Sequence, residues 1–306
     1  MPIRANTEAT EALVDVWAVD AVGALRHKLM AAAQVRKFLG NVVGQKWATV
    51  NVNKLGVLTA RQKGEGADVV SDAPTTGNVP VTLSYHTTVS WDVEGTAEAM
   101  ANPGGINYEE LAMDTLAEAI ETHVFSVYAD AGAQLGVPGT PLDEGAILAA
   151  KRELSSMRCP QSGRVAWVSE DDEIALLALD KLTRADARGD GGEALREGYI
   201  GRVHGFDFYS SQLIPETSGP PITKHNLFLN PQGIMLAMAP LPMAKSGSGA
   251  ISMVMIDNEA DDDSATMLSF RYEVSYDARA QKTLHTVDAL YGVAIIDERM
   301  VVEYQT

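Results

Sequence analysis

Apolar and polar side chains alternate along residues 79–93, VPVTLSYHTTVSWDV. The apolar positions all carry odd numbers: Val79, Val81, Leu83, Tyr85, Val89, Trp91 and Val93. Alternation of this kind gives a β-strand one apolar face and one polar face. At about 3.3 Å per residue the stretch would span roughly 50 Å, whereas an ordinary strand has about 5–6 residues. We therefore expect an arm too long for its own domain, with an apolar face covered by a neighbouring copy.

The residues before this strand predict a helix and then a hairpin. Apolar side chains recur at helical spacing within residues 10–39, and Gly40 follows as a stop signal. Val50 and Val52 alternate with polar neighbours in residues 41–60, which favours an extended conformation. Residues 61–78 are rich in Gly, Asp, Thr and Pro, which is typical of a mobile tip. With the alternating strand they predict an extended hairpin over residues 46–95.

A long helix is predicted from Asn107 to Leu135. Asn107 is a suitable N-cap, and Glu110 is its capping-box partner three positions on. A helix of this length would measure about 43 Å. One apolar stripe steps by three or four residues along it: Met113, Leu116, Ile120, Val124, Val127, Ala131 and Leu135. Glycines and prolines at positions 136–141 end the helix.

Helical and strand patterns alternate in residues 141–245, which predicts a small α/β unit. Pro141 and Asp143 begin its first helix. The other predicted elements are a buried strand at 165–168, a helix at 170–182 and a strand at 199–209 with a bulge at its glycines. The pattern of residues 226–238 fits either a strand or a short helix. Residues 245–249, KSGSG, predict a flexible joint.

The remainder of the chain is rich in strand patterns. Residues 250–256 and 267–276 predict a hairpin across an acidic turn at 257–264. Residues 287–297 and 300–304 are predicted to finish the same sheet.

Composition narrows the classes of function. The chain has 306 residues with 41 acidic and 24 basic side chains, a net charge of −17. A net negative surface repels phosphates, which argues against sequence-specific nucleic-acid binding. The densest basic cluster is interpreted as a solvated helix face: Arg26, His27, Lys28, Arg36 and Lys37. Cys159 is the only cysteine, so a disulfide within one chain is excluded. The sequence has no run of 18 apolar residues, so no membrane span is predicted. The N-terminus does not resemble a signal peptide.

Motifs that carry chemistry are incomplete. GEGADV at residues 64–69 lacks the third glycine of a dinucleotide fingerprint, and KSGSG lacks a phosphate-loop frame. The best metal candidate is DNEADDD, with Asp257, Glu259, Asp261, Asp262 and Asp263. Its calcium-loop frame fails, because Asp262 and Leu268 occupy the positions that need glycine and an acid. A solvated turn is the plainer interpretation, and a weak divalent site shared between neighbouring chains is the alternative.

Six histidines are dispersed without metal-pair spacing: His27, His86, His123, His204, His225 and His285. His123 lies beside the helical stripe, where a hydrogen-bonded structural role is expected. We predict no catalytic, cofactor-binding or metal-binding residues and no cofactor, and the chain is not expected to be an enzyme.

In this order the segments resemble the major capsid proteins of tailed bacteriophages, which have the HK97-like fold. The local matches are GYIGRVHGFDFYSSQLIP at 198–215, NLFLNPQGIMLAMAPLP at 226–242 and SFRYEVSYDARAQKTLHTVDALYGVAIIDERMVVEY at 269–304. The last contains the step Tyr291, Gly292 and Val293. The resemblance covers nearly the whole chain and depends on the order of the segments.

The resemblance implies an α+β fold with five parts. These are an N-terminal arm (1–45), an extended β-hairpin loop (46–95), a long spine helix with part of a peripheral β-sheet domain (96–140), an axial α/β domain (141–245) and the return strands of the peripheral domain (246–306).

The resemblance also implies function and partners. Copies would self-assemble as pentamers and hexamers into the icosahedral head shell of a virion, in the bacterial host cytoplasm, and would enclose double-stranded DNA without sequence-specific contacts. Because the arm begins almost at Met1, a separate scaffolding protein is expected. A portal and a decoration protein are further candidate partners, and a membrane is not one.

A covalent crosslink and two alternative functions also have to be considered. Lys63 near the hairpin tip is a candidate for the covalent crosslink that some relatives make, without an identified partner. The alternative functions are an encapsulin-type shell of the same fold in a cell, and an uncharacterised soluble α+β enzyme.

Overall fold

Two β-sheets, a separate hairpin and four helices make up the described part of the protein. The computed structural model describes residues 29–39, 49–55, 59–66, 68–69, 71–73, 76–94, 108–179, 201–243, 250–256 and 268–306. The helices are α1 (Ala31–Gln34), α2 (Tyr108–Phe125), α3 (Glu144–Ser156) and α4 (Glu170–Leu177), with 3₁₀ turns at Ser126–Asp130, Pro231–Gly233 and Glu298–Met300.

The strands are β1 (Arg36–Leu39), β2 (Thr49–Leu55), β3 (Thr76–Thr82), β4 (Tyr85–Glu94), β5 (Ala133–Gly136), β6 (Arg164–Val168), β7 (Arg202–Val203), β8 (Phe206–Ser210), β9 (Glu216–Thr217), β10 (Thr223–Leu229), β11 (Ile234–Ala239), β12 (Ala250–Ile256), β13 (Ser269–Asp277), β14 (Lys282–Ile295) and β15 (Val301–Gln305).

The first sheet is organised around β14, which has 14 residues. Its strand order is β1-β11-β14-β13-β12, and β4 pairs with β14. The first half of β14 pairs with β13 and the second half with β11. β4 follows β14 antiparallel from Tyr85 opposite Tyr291 to Glu94 opposite Lys282. β1 is parallel to β11 at one edge.

The second sheet has the order β5-β15-β10-β6-β8-β7, and β9 pairs with β10. Its central strands are buried on both faces. Trp167 and Leu227 point into the larger core, which they share with α2 and the first sheet. Ala166 and Phe228 point to the opposite face, where they pack with Ile147 of α3 and Leu176 of α4. The sheet therefore lies between two apolar clusters, which explains its almost continuous apolar sequence.

The alternating pattern at residues 79–93 forms two strands, so the predicted single strand is wrong. Leu83 and Ser84 interrupt it. The part before the break pairs with β2 in the hairpin, and the part after it joins the first sheet. Gly292 of β14 lies at this crossing, where an added Cβ would be 2.0 Å from the carbonyl oxygen of Thr82. Only glycine permits so close an approach.

The expectation that a neighbouring copy covers the apolar face is also wrong for β4. Tyr85, Val89 and Trp91 pack against the larger core of their own chain. They do so because β4 is a full member of the first sheet and α2 packs on that face.

Both predicted long helices end earlier in the structure than predicted. In the first, residues 10–28 lie outside the described ranges, Val35 is extended and residues 36–39 form β1. The parallel pairing of β1 with β11 outweighs the helical pattern there.

The second long helix, α2, ends at Phe125 and continues only as a 3₁₀ turn. The hydroxyl of Ser126 donates to the carbonyl of His123 at 2.7 Å. Gly132 then passes so close to Glu298 that a Cβ would lie 2.0 Å from its carbonyl oxygen. Residues 133–136 leave the helix to pair with β15. The predicted N-cap Asn107 lies outside the described residues, and nothing is described of the Glu110 side chain.

Several predictions for the α/β unit are confirmed. The Asp143 carboxylate accepts a hydrogen bond from the backbone N–H of Ala146 at 2.7 Å and caps α3. The buried strand is β6. The helix predicted to reach residue 182 ends at Leu177, and residues 180–200 are outside the described ranges.

Two further strand predictions need correction. Residues 199–209 do not form one bulged strand, because β7 and β8 make a hairpin that turns at His204 and Gly205. Residues 226–238 contain two strands, separated by the turn Pro231–Gly233.

The closing strands do not finish one sheet. β12 and β13 pair as the predicted hairpin, but β14 belongs to the first sheet and β15 to the second. Residues 257–267, which include the acidic metal candidate, and residues 244–249, which include the predicted joint, lie outside the described ranges.

Candidate assembly surfaces

The hairpin of β2 and β3 packs on the first sheet at its base, and in its outer half Lys54 lies 3.8 Å from the carboxylate of Asp297. Val50 and Val81 face each other across the hairpin and pack on Met235 and Ala237 of β11. Farther out, Asn53, Asn78 and Gly77 are all exposed. A two-stranded hairpin has little stability of its own in water. Its outer half is therefore a candidate contact surface.

The described part of the hairpin tip is held together by Asp72. Its carboxylate lies 2.6 Å from the Arg61 guanidinium and accepts the backbone N–H of Thr59 at 2.8 Å. Lys63, the crosslink candidate, is exposed on this tip. The described tip residues carry both signs of charge, so the tip is a polar surface.

α2 is fixed to the first sheet through His123. Its ring stacks on Tyr85 at 3.9 Å, and its Nδ1 lies 2.8 Å from the hydroxyl of Tyr291. The same hydroxyl is 2.9 Å from the hydroxyl of Thr87. Burial lowers the pKa of His123 and raises that of Tyr291. The structural role expected for His123 is confirmed.

Asp288 joins three strands of the first sheet. Arg271 of β13 donates to both of its carboxylate oxygens, at 3.0 and 2.5 Å. His86 of β4 approaches the same carboxylate at 3.1 Å, with its own side chain about half exposed. The hydrogen bond to Asp288 raises the pKa of Arg271. This arrangement stabilises the pairing of β4, β14 and β13 and leaves Asp288 buried and paired.

Glu121 of α2 holds the chain that precedes β1. Its two carboxylate oxygens accept the backbone N–H groups of Ala31 and Ala32, each at 2.9 Å. Burial raises the pKa of this carboxyl, and the N–H groups oppose that shift. Glu121 lies directly beside Ile120 of the apolar stripe of α2, and an acidic residue next to such a stripe is the sequence signal that could have identified it.

A buried polar network lies at one end of the second sheet. The Asp172 carboxylate accepts from Ser169 at 2.7 Å, Asn226 at 2.7 Å and Thr306 at 2.8 Å, and from the backbone N–H of Leu142 at 3.1 Å. Ser169 is the N-cap of α4, three residues before Asp172, but Leu142, Asn226 and Thr306 are far from it in sequence, and no local pattern predicts that they meet. The network fixes the loop that enters α3 to the end of the sheet.

His225 and Glu303 form a second buried pair in the same sheet. The imidazole Nδ1 lies 2.5 Å from the Glu303 carboxylate and its Nε2 lies 2.8 Å from the Thr217 hydroxyl. Tyr128 stacks on the ring at 3.9 Å. Every polar atom of this imidazole therefore has a structural partner.

The structure distributes the described candidate residues and does not gather them. His285 bonds Tyr272, His204 lies near Glu144, and Cys159 is buried. Arg36 and Lys37 of the basic cluster lie on β1, so the interpretation as a helix face is wrong for them. Among the described residues no cluster of three or more His, Cys, Asp or Glu side chains could hold a metal ion. No described helix is long and apolar enough to span a membrane.

Solved phage and encapsulin structures resemble about nine-tenths of the chain. The chain is 18% identical to a structure titled Mycobacterium phage Che8, with 90% of each chain covered and a TM-score of 0.65. It is 13% identical to the mature capsid of bacteriophage PhiM1, with 90% and 86% covered and a TM-score of 0.61. It is 12% identical to the SrpI encapsulin of Synechococcus elongatus, with 88% and 84% covered and a TM-score of 0.52.

No protein-family model and no curated protein matches the sequence. The similarity to solved structures shows the fold: the chain has the α+β fold shared by phage capsid and encapsulin subunits, as its HK97-like segment order predicts.

Proposed function

We propose that the protein is the major capsid protein of a tailed bacteriophage, a structural subunit without enzymatic activity. Copies assemble as pentamers and hexamers into an icosahedral head. The observation that carries this proposal is the similarity over about nine-tenths of both chains to a mature phage capsid. A match of that extent includes both sheets, so it is not a similarity of one common motif.

The hairpin supports a role in assembly. Tyr85, Val89 and Trp91 of β4 are half-buried against the core of their own chain, so the surface most open to a neighbour is the outer half of the β2–β3 hairpin and its tip. We infer that this part lies on an adjacent copy. Its backbone edges and exposed asparagines can bond to a neighbouring surface that the isolated subunit does not supply.

The charge of the chain supports enclosure of DNA without specific binding. A net charge of −17 disfavours adhesion of phosphates to the shell wall. The proposed virion partners are double-stranded DNA, a portal, a separate scaffolding protein and a candidate decoration protein. Assembly is proposed to take place in the host cytoplasm.

We also propose that the subunit has five parts in the shell. The arm (1–45), hairpin loop (46–95), spine helix (96–140), axial domain (141–245) and return strands (246–306) describe how the subunit would be placed in a shell. β15 lies in the second sheet, next to strands of the proposed axial domain, so the last segment would belong to both domains.

An encapsulin-type compartment is the second candidate, favoured by the similarity to the SrpI encapsulin. One experiment tests the proposal and distinguishes the capsid from the encapsulin. The protein is expressed alone and with its genomic neighbours, fractionated by size and imaged by electron microscopy. Hollow particles are expected in both cases. Nuclease-protected double-stranded DNA indicates the capsid, and an enclosed protein indicates the encapsulin. A protein that stays monomeric at high concentration contradicts both.

Salt provides an additional test of self-assembly. Because the subunits carry like charges, screening reduces their repulsion. The yield of particles should rise from low to moderate ionic strength, and a fall over that interval would count against the proposal.

A further inference from the structure

Two loops at one end of the second sheet form an exposed surface without charge. We call this surface the proline edge. It comprises residues 137–141, VPGTP, and residues 218–222, SGPPI, all of them exposed. Val137 is 65% exposed and Ile222 is 55% exposed. About one residue in five of this chain is charged, yet these ten residues carry no charge.

The two loops form one rigid surface. Gly139 lies against Pro221, since an added Cβ would be 2.8 Å from the Pro221 side chain. Its φ of +79° also favours glycine. The backbone N–H of Thr140 donates to the carbonyl of Val137 at 3.1 Å and closes a turn. The four prolines of the proline edge restrict the backbone further.

Buried contacts fix both loops from behind. The first loop ends at Leu142, whose N–H donates to the buried carboxylate of Asp172. The second loop ends in β10, where Lys224 exchanges two backbone hydrogen bonds with Thr306, at 2.9 and 3.1 Å. A surface that is already rigid loses little conformational entropy when it binds.

We infer that the proline edge contacts another copy of the same chain in the assembled particle. This inference rests on the proposed function. Each copy has a net charge of −17, so close contact between copies is favoured where neither surface brings a carboxylate. In the free subunit the valine, isoleucine and proline side chains expose apolar surface to water. A contact between copies removes that surface from water, which is favourable. The proline edge combines both properties on a rigid support.

Thiol labelling can test this directly. In Val137→Cys and Ile222→Cys the new thiols are exposed, whereas the natural Cys159 is buried and gives a low background. A maleimide reagent should modify the new thiols readily in dissociated subunits and at least about tenfold more slowly in assembled particles. Ile174→Cys is the matched control, because Ile174 of α4 is also 65% exposed.

Equal labelling of Val137→Cys in subunits and particles overturns the inference and leaves the proposed function intact. Equal protection of all three thiols also overturns it, because enclosure would then explain the slow reaction. Wild-type protein that forms no particles instead contradicts the proposed function.

A charge substitution provides an independent measurement. Val137→Asp and Ile174→Asp change the charge equally at sites of equal exposure. Both should keep the thermal stability of the wild type. Only Val137→Asp should lose particle yield, by at least about tenfold. Normal assembly of Val137→Asp, or equal loss in both variants, would contradict a subunit contact at the proline edge.

Discussion

The two halves of the alternating pattern at residues 79–93 pair with different strands and are buried to different extents. The second half, β4, pairs with β14 over ten residues and packs its apolar side chains under α2. The first half, β3, pairs only with β2, and only the base of that hairpin packs on the first sheet. The same binary pattern thus forms part of a core in one half and a largely exposed hairpin in the other.

Alternation therefore specifies a strand and its two faces but not its partner. The partner changes at Leu83, where the chain crosses Gly292.

Gly292→Ala should disrupt both halves. The new methyl group would lie 2.0 Å from the Thr82 carbonyl oxygen, and backbone atoms cannot move aside as a flexible side chain can. We expect a loss of about 3 kcal/mol or more in the free energy of unfolding, measured with urea. Gly64→Ala in the hairpin tip, where an added Cβ meets nothing within 4 Å, is the control and should change little. Equal stability of the two variants would contradict the close approach of the Thr82 carbonyl to Gly292.

Trp91→Ala and Val79→Ala compare the halves directly. Trp91 stacks on His285 with ring centroids 5.2 Å apart and packs against the larger core, so its truncation should cost about 2 kcal/mol. Val79 is half-buried opposite Val52 of the hairpin and is not a member of the apolar cluster described at its base, so its truncation should cost about 0.5 kcal/mol or less. Both values come from chemical unfolding of the subunit. A larger loss for Val79→Ala would mean that the hairpin contributes more to the fold than β4.

The stability of the β4 half should depend on pH through His123. Burial lowers the pKa of His123, so the unfolded chain takes up the proton first as the pH falls. Its contribution to stability is full above the ordinary histidine pKa of about 6.5 and is lost as the pH falls through the lowered folded-state value. The free energy of unfolding should therefore fall with pH in that interval.

His123→Phe retains an aromatic ring against Tyr85 and removes the titrating group. The raised pKa of Glu121 acts in the opposite direction in both proteins, so the difference between them isolates His123. Identical pH profiles for the wild type and His123→Phe would remove His123 as the cause.

Gln281→Gly should give a small gain in stability. Gln281 ends the turn between β13 and β14 with φ of 52°, a conformation that favours glycine. We expect about 0.5–1 kcal/mol of added stability, read as a higher midpoint of thermal unfolding. Gln281→Ala keeps a Cβ and should give no gain. A loss in Gln281→Gly would show that the side chain supports the start of β14.

Local signals in the sequence predicted the local elements well. Asp143 before an apolar period identified α3, and the apolar run at 165–168 identified β6. Elsewhere the predicted helices were wrong because strand pairing with distant residues replaced the helical conformation. Residues 36–39 and 133–136 continue helical patterns, yet each leaves its helix to pair with a strand more than a hundred residues away. The buried network around Asp172 was also missed, because its members meet only after the second sheet has formed.

The periodicity of each segment, the order of the segments and the acidic balance can be read from the chain alone, because each depends on residue types along the sequence. The order of the segments carried the resemblance that implied the capsid-type fold. Three outcomes follow only from the folded chain: where the alternating pattern breaks, which sheet includes β15 and which chain packs against the apolar face of β4. Those outcomes depend on backbone approach and on burial between residues distant in sequence, and a local pattern contains no information about either.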